Sequence, residues 1–147
     1  MKSHLLTIEH EARNLRKAGK LKEAAELFSS IIREEPNWEH GEAFYELACC
    51  YEDIGQLNSA EECYQKALSI NAKNPYFLGG YASFLYLHRD PNVAFAAYVE
   101  LLQVESRNKN ENAVKTVMIA LRALGGRIGL SDQTISDKIT RAINSEQ

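Results

Sequence analysis

Cysteine is scarce in this chain. Of 147 residues only three are cysteines, Cys49 and Cys50 side by side and Cys63 further on. An odd count without a CxxC spacing excludes a disulfide framework and fits a reducing compartment, so a cytoplasmic location is expected. No histidine stands at ligand spacing from these thiols, and no metal site is expected. Charge of one sign is lacking too. The net charge of −3 is too weak a field to draw nucleic acid or an anionic membrane. No apolar run approaches the ~18 residues that a membrane span requires. The N-terminal MKSHLLTIEHEARN turns polar after two leucines, where a secretory signal would stay apolar.

Patterns that carry catalysis are missing as well. The histidines are scattered at His4, His10, His40 and His88, and His10-Glu11-Ala12-Arg13-Asn14 lacks the second histidine of a zinc-protease helix. Gly125-Gly126-Arg127-Ile128-Gly129 follows a helical pattern, not a strand, and lacks the Lys-Ser/Thr of a phosphate loop. It reads as a flexible interhelical turn. The expectation is a non-catalytic protein without cofactors.

A repeat is what the chain does have. Ala24, Ala60 and Ala94 each open an apolar pattern of helical period, at steps of 36 and 34 residues. Four residues beyond each stands an aromatic, Phe28, Tyr64 or Tyr98, and three further on Ile31, Ala67 or Leu101. The preceding segments hold Ala12, Ala48 and Ala82 in equivalent places, with Leu15, Tyr51 and Leu85 three residues later. Alanine where two helices approach most closely lets their backbones come near, and a larger side chain would overpack the contact. The aromatic lies on the same helical face and fills the gap to the next hairpin. Gly19 and Gly55 suit the left-handed residue that ends a helix, and Asp90-Pro91 starts a turn after Arg89.

These residues resemble the tetratricopeptide repeat family over roughly Leu5–Ser106. The resemblance implies an all-α, right-handed α-solenoid of three hairpins in one domain, with repeats at about 5–38, 41–74 and 75–108. A slightly longer link is expected at Asn37–Gly41. Stripes at Val114, Val117, Met118 and Leu121, ending at Gly125-Gly126, and at Ile135, Ile139, Ala142 and Ile143 read as a degenerate fourth hairpin. Its capping helices fall at about 110–124 and 131–145, the second opened by Ser131 as N-cap.

In that family the first helix of each hairpin lines a concave groove. Carried over position by position, the resemblance places Glu9, Arg13, Arg16 and Lys17 there from the first repeat. The second gives Tyr45, Cys49 and Glu52, flanked by Glu42, Glu46 and Asp53. The third gives Tyr76, Gly79, Ser83 and Tyr86, and the degenerate fourth Lys115, Ile119 and Arg122. From Glu34 through Gln65 nine acidic residues occur without a lysine or arginine, a slab of −9 that leaves +6 on the rest of the chain. A solvated face and a functional one are equally good readings of such a run. Cys50 and Cys63 are expected to pack as small hydrophobes, and Cys49 to face elsewhere as a candidate reactive thiol.

Family members that grip the C-terminal carboxylate of heat-shock chaperones use Lys, Asn and Arg at positions that here hold Glu9, Arg13, Glu46, Tyr76 and Gly80. That clamp is therefore not expected. The partner-binding groove is assigned to Arg13, Arg16, Glu42, Tyr45, Glu46, Cys49, Glu52, Tyr76, Ser83 and Tyr86. Its expected ligand is a protein or peptide segment carrying basic residues and an apolar anchor. Two narrower readings compete: a chaperone of type III secretion translocators, and a toxin-neutralising or regulatory partner that masks a basic surface. Ile128, Leu130, Ile135, Ile139 and Ile143 are many apolar residues for a terminal cap, which adds self-association through the C-terminal helices to the expectations.

Overall fold

The computed structural model describes residues 2–145, and their regular structure is helical. In order these are α1 (Ser3–Lys17), α2 (Leu21–Glu34), α3 (Glu42–Ile54), α4 (Leu57–Ile70), α5 (Pro75–His88), α6 (Pro91–Arg107), α7 (Glu111–Arg127) and α8 (Asp132–Ile143). The chain divides into two compact units, the first ending at Ala72 and the second beginning at Lys73.

In the first unit α1 packs on α2, α2 on α3 and α3 on α4, the order of sequential hairpins. The alanines set that packing. Ala12, Ala24, Ala48 and Ala60 are all fully buried, and Phe28, Ile31, Tyr64 and Ala67 fill the spaces beside them. Gly19 and Gly55 close α1 and α3 at φ +79 and +93, conformations in which a side chain is strained. The longer link expected near Asn37–Gly41 contains a 3-10 turn, Trp38–Gly41. Glu39 and His40 both adopt left-handed backbone there, φ 49 and 54, a costly state for two successive residues with side chains. The indole of Trp38 donates to Glu9 at 2.9 Å. Glu9, expected on an open face, is instead buried by this contact with the link.

In the second unit α5 packs on α6, α6 on both α7 and α8, and α7 on α8. Ala82 and Ala94 are fully buried like their counterparts. Helix starts are well specified. Asn74 Oδ1 accepts from the Tyr76 and Phe77 amides with Pro75 in the first turn, and Asp90 accepts from the Asn92 amide ahead of Pro91. Ser131 caps α8 through the Thr134 amide.

Gly125-Gly126 is not a turn. Helix α7 runs through both glycines to Arg127. A Cβ on Gly125 would lie 2.7 Å from the Ile135 side chain and 3.1 Å from Phe95. Gly125 thus lets α8 and α6 press against the α7 backbone, and the left-handed residue that ends the segment is Gly129, φ +85.

Candidate protein-binding site

In the first unit the structure brings α1 and the acidic slab into direct register. Arg13 Nη2 donates to Glu42 Oε1 at 2.8 Å, and Arg16 Nη1 to Glu46 Oε2 at 3.0 Å. Near the start of α1, His4 meets Glu34 at 2.7 Å and Lys2 pairs with Glu35. Four of the nine acids in the slab are therefore matched by α1 and Lys2 just before it. The cations that match the run lie about thirty residues earlier in the chain. Such half-exposed pairs contribute about 0–1 kcal/mol each. Their larger effect is on chemistry: Arg13, Arg16, Lys17, Glu46 and Asp53 line a cleft of about 340 Å³ that carries both signs, not an acidic surface. Burial pushes the Glu42 carboxyl up, and Arg13 only partly offsets it.

Behind this cleft stands a polar relay. The Tyr64 hydroxyl donates to Glu52 at 2.7 Å and lies 3.7 Å from Cys49 Sγ, while the Tyr45 ring meets Tyr64 edge to face at 5.9 Å. Burial raises the thiol of Cys49, the opposite of the shift that activates a cysteine nucleophile. Its expectation as a reactive thiol falls on that ground. Burial also raises the Tyr45 and Tyr64 hydroxyls, so both stay protonated donors. Cys50 and Cys63 are buried, and desolvation pushes each thiol up to about 11.

The second unit spreads its candidates over two places. Tyr86 is 40 % exposed and lines an apolar slot of about 200 Å³ with Tyr98, Ala120, Ala123 and Leu124. Arg127 Nη1 donates to the Tyr86 hydroxyl at 2.6 Å, with its guanidinium 5.2 Å from the ring centroid. Ser83 lies beside the Tyr98 hydroxyl. Ile119, on the same helix as Ala120 and Ala123, is 70 % exposed. Tyr98 was expected to fill a gap between hairpins, but it is only half-buried and forms a wall of the slot. Tyr76 stands apart, 77 % exposed beside a small pocket lined by Pro75, Glu105 and Asn110.

The tetratricopeptide repeat family model matches residues 15–84. Residues 15–84 thus carry the tetratricopeptide-repeat pattern. No curated protein sequence matches it. Among solved structures, a type III secretion complex from Aeromonas hydrophila is similar at TM-score 0.78 and 17% identity, covering 89% of this chain and 87% of that one. PcrH of Pseudomonas aeruginosa, in complex with the chaperone binding region of PopD, is similar at TM-score 0.77 and 17% identity, covering 86% and 95%. SycD, the type III secretion translocator chaperone of Yersinia enterocolitica, is similar at TM-score 0.77 and 18% identity, covering 88% and 98%. At these identities the likeness is one of fold.

Several contacts of this repeat protein had little signal in its sequence. Arg127 lies in the segment read as a turn, and its tie to Tyr86 spans 41 residues. The hydroxyl of Tyr64 was hidden by the residue's role as a repeat aromatic. Trp38, in the link between hairpins, belongs to no repeat position. Among the described residues no helix is long and apolar enough to cross a membrane, and no cluster of three or more metal-ligating side chains occurs.

Proposed function

We propose that this repeat protein binds a segment of a partner protein, in the manner of the type III secretion translocator chaperones it resembles in fold. The observation that carries the reading is the reach of that likeness. The family model stops at residue 84, whereas the fold match to the Aeromonas complex leaves out only 11% of the chain, about 16 residues. Helix α7 alone has 17 residues, so at least part of it lies inside the match, which supports a likeness beyond residues 15–84. PcrH, of the same fold, was crystallised with the chaperone binding region of its partner PopD.

Within the second unit the slot between Tyr86, Tyr98, Ala120, Ala123 and Leu124 suits one apolar side chain of the segment. Tyrosine walls offer large contact area at low conformational cost. In the first unit the cleft of paired charges suits a polar stretch, with Tyr45, Cys49 and Glu52 as further candidates. Because Glu42 and Glu46 already face arginines, the segment's anchor is apolar and its basic residues are secondary. This shifts emphasis away from an acidic groove that masks a basic surface.

The test is affinity capture from the source organism's lysate with wild type, Tyr86→Ala and Ile119→Asp as baits, followed by protease mapping of whatever is held. The expected result is one secreted protein protected over a short segment, and lost from both variants. A partner retained equally by all three baits removes the slot from the reading. A partner without any protected segment removes the chaperone reading itself.

A further inference from the structure

One cavity of the second unit takes no part in that function. About 500 Å³ in volume, it lies between α6, α8 and the turn that joins α7 to α8. Phe95, Ala96 and Val99 of α6 give it an apolar floor, and Ile128, Leu130 and Ala142 its walls. Gly129 at φ +85 lets the chain turn between Ile128 and Leu130, so that both line the cavity.

Charge distinguishes this cavity from an ordinary seam. Lys138 and Arg141 lie three residues apart on α8, on one helical face, and both line it. Both are exposed, and neither has an ion-pair partner among the described residues. The contrast with α1 is direct, since Arg13 and Arg16 each reach a carboxylate. The nearest acid along α8, Asp137, accepts from Gln133 at 2.9 Å instead. Asn92 and Gln103 complete the lining, eleven residues apart on α6, which is about 16 Å along a helix.

We propose that this groove is a second docking site, for an acidic amphipathic segment of a partner protein. Apolar side chains of the segment cover Phe95, Val99, Ile128 and Leu130, and its carboxylates meet Lys138 and Arg141. The Gln103 amide, and that of Asn92, which also donates to Asp90 Oδ1 at 3.1 Å, favour a polypeptide over an acyl chain, because amides can pair with peptide groups. Opposite charge steers the encounter and selects against basic segments, and the apolar floor supplies the area. The site is independent of the slot at Tyr86, and either can fail alone.

The experiment uses the full chain and two fluorescein-labelled 16-residue helical peptides. Both place leucines at i, i+3, i+4 and i+7; one carries glutamates and the other lysines on the remaining face. Fluorescence anisotropy is read for wild type, Lys138→Glu/Arg141→Glu, Ala96→Trp and Tyr86→Ala, and a photo-crosslinker in the peptide locates contact. The acidic peptide should bind at least tenfold more tightly than the basic one, and its affinity should weaken in salt. Charge reversal should invert that preference, Ala96→Trp should abolish binding, and Tyr86→Ala should leave it unchanged. Crosslinks should fall on α6 and α8. Equal affinity for both peptides, or crosslinks at the Tyr86 slot, would overturn the proposal. So would saturable binding of laurate at the same residues without peptide binding, or a dimer in sedimentation that charge reversal dissociates.

Discussion

Two of the three thiols and two of the glycines make opposite demands on their surroundings, and each demand can be measured. Cys50 and Cys63 ionise near 9.0 when unfolded and at about 11 when folded. Between these values the folded chain holds protons that the unfolded chain has lost, so stability falls as pH rises. Each thiol contributes a slope of about 1.4 kcal/mol per pH unit across that window and none below it. Denaturant titrations at pH 8, 9, 10 and 11 should show this loss, and Cys50→Ala should make it shallower. Gly79, one of the groove positions, lies inside α5. A Cβ there would only touch Leu101 at 3.7 Å, an ordinary contact. Gly79→Ala should therefore stabilise by about 0.5–1 kcal/mol, whereas Gly125→Ala should cost about 1–3 kcal/mol by driving α8 off α7. Chemical denaturation of the two variants side by side reads both signs.

Helices and hairpins were the most legible scale. The alanines at 12, 24, 48, 60, 82 and 94 could be recognised because close approach of two backbones tolerates little else, and all six are fully buried. Replacing Ala60 with Leu should cost about 1–3 kcal/mol in urea unfolding, and an unchanged midpoint would break the packing argument. The end of α7 was misplaced because glycine has two uses. It releases a helix into left-handed backbone, as at Gly129, or removes a side chain where helices press together, as at Gly125. Sequence shows the residue without showing which use applies. The candidate groove was legible in its positions and less so in its charge. Periodicity predicts which residues share a helical face, but Arg13 with Glu42 and Arg16 with Glu46 are pairings between helices. Nothing in the local pattern of either helix announces them.

For the whole molecule, a single domain of three repeats and a cap is our proposal, and the lone tryptophan offers a way to test it. Trp38 belongs to the first unit, its indole held against Glu9, and the second unit has no tryptophan. Emission therefore follows residues 1–72 alone, while far-ultraviolet ellipticity follows helices of both units. In a stack of repeats each element draws stability from its neighbours, so a single cooperative transition is expected, with both signals crossing at one denaturant concentration. Emission lost ahead of ellipticity would instead mark the first two hairpins as a block that opens by itself. A side chain fixed in a link between repeats thus gives the chain a built-in optical reporter of whether its halves fold as one.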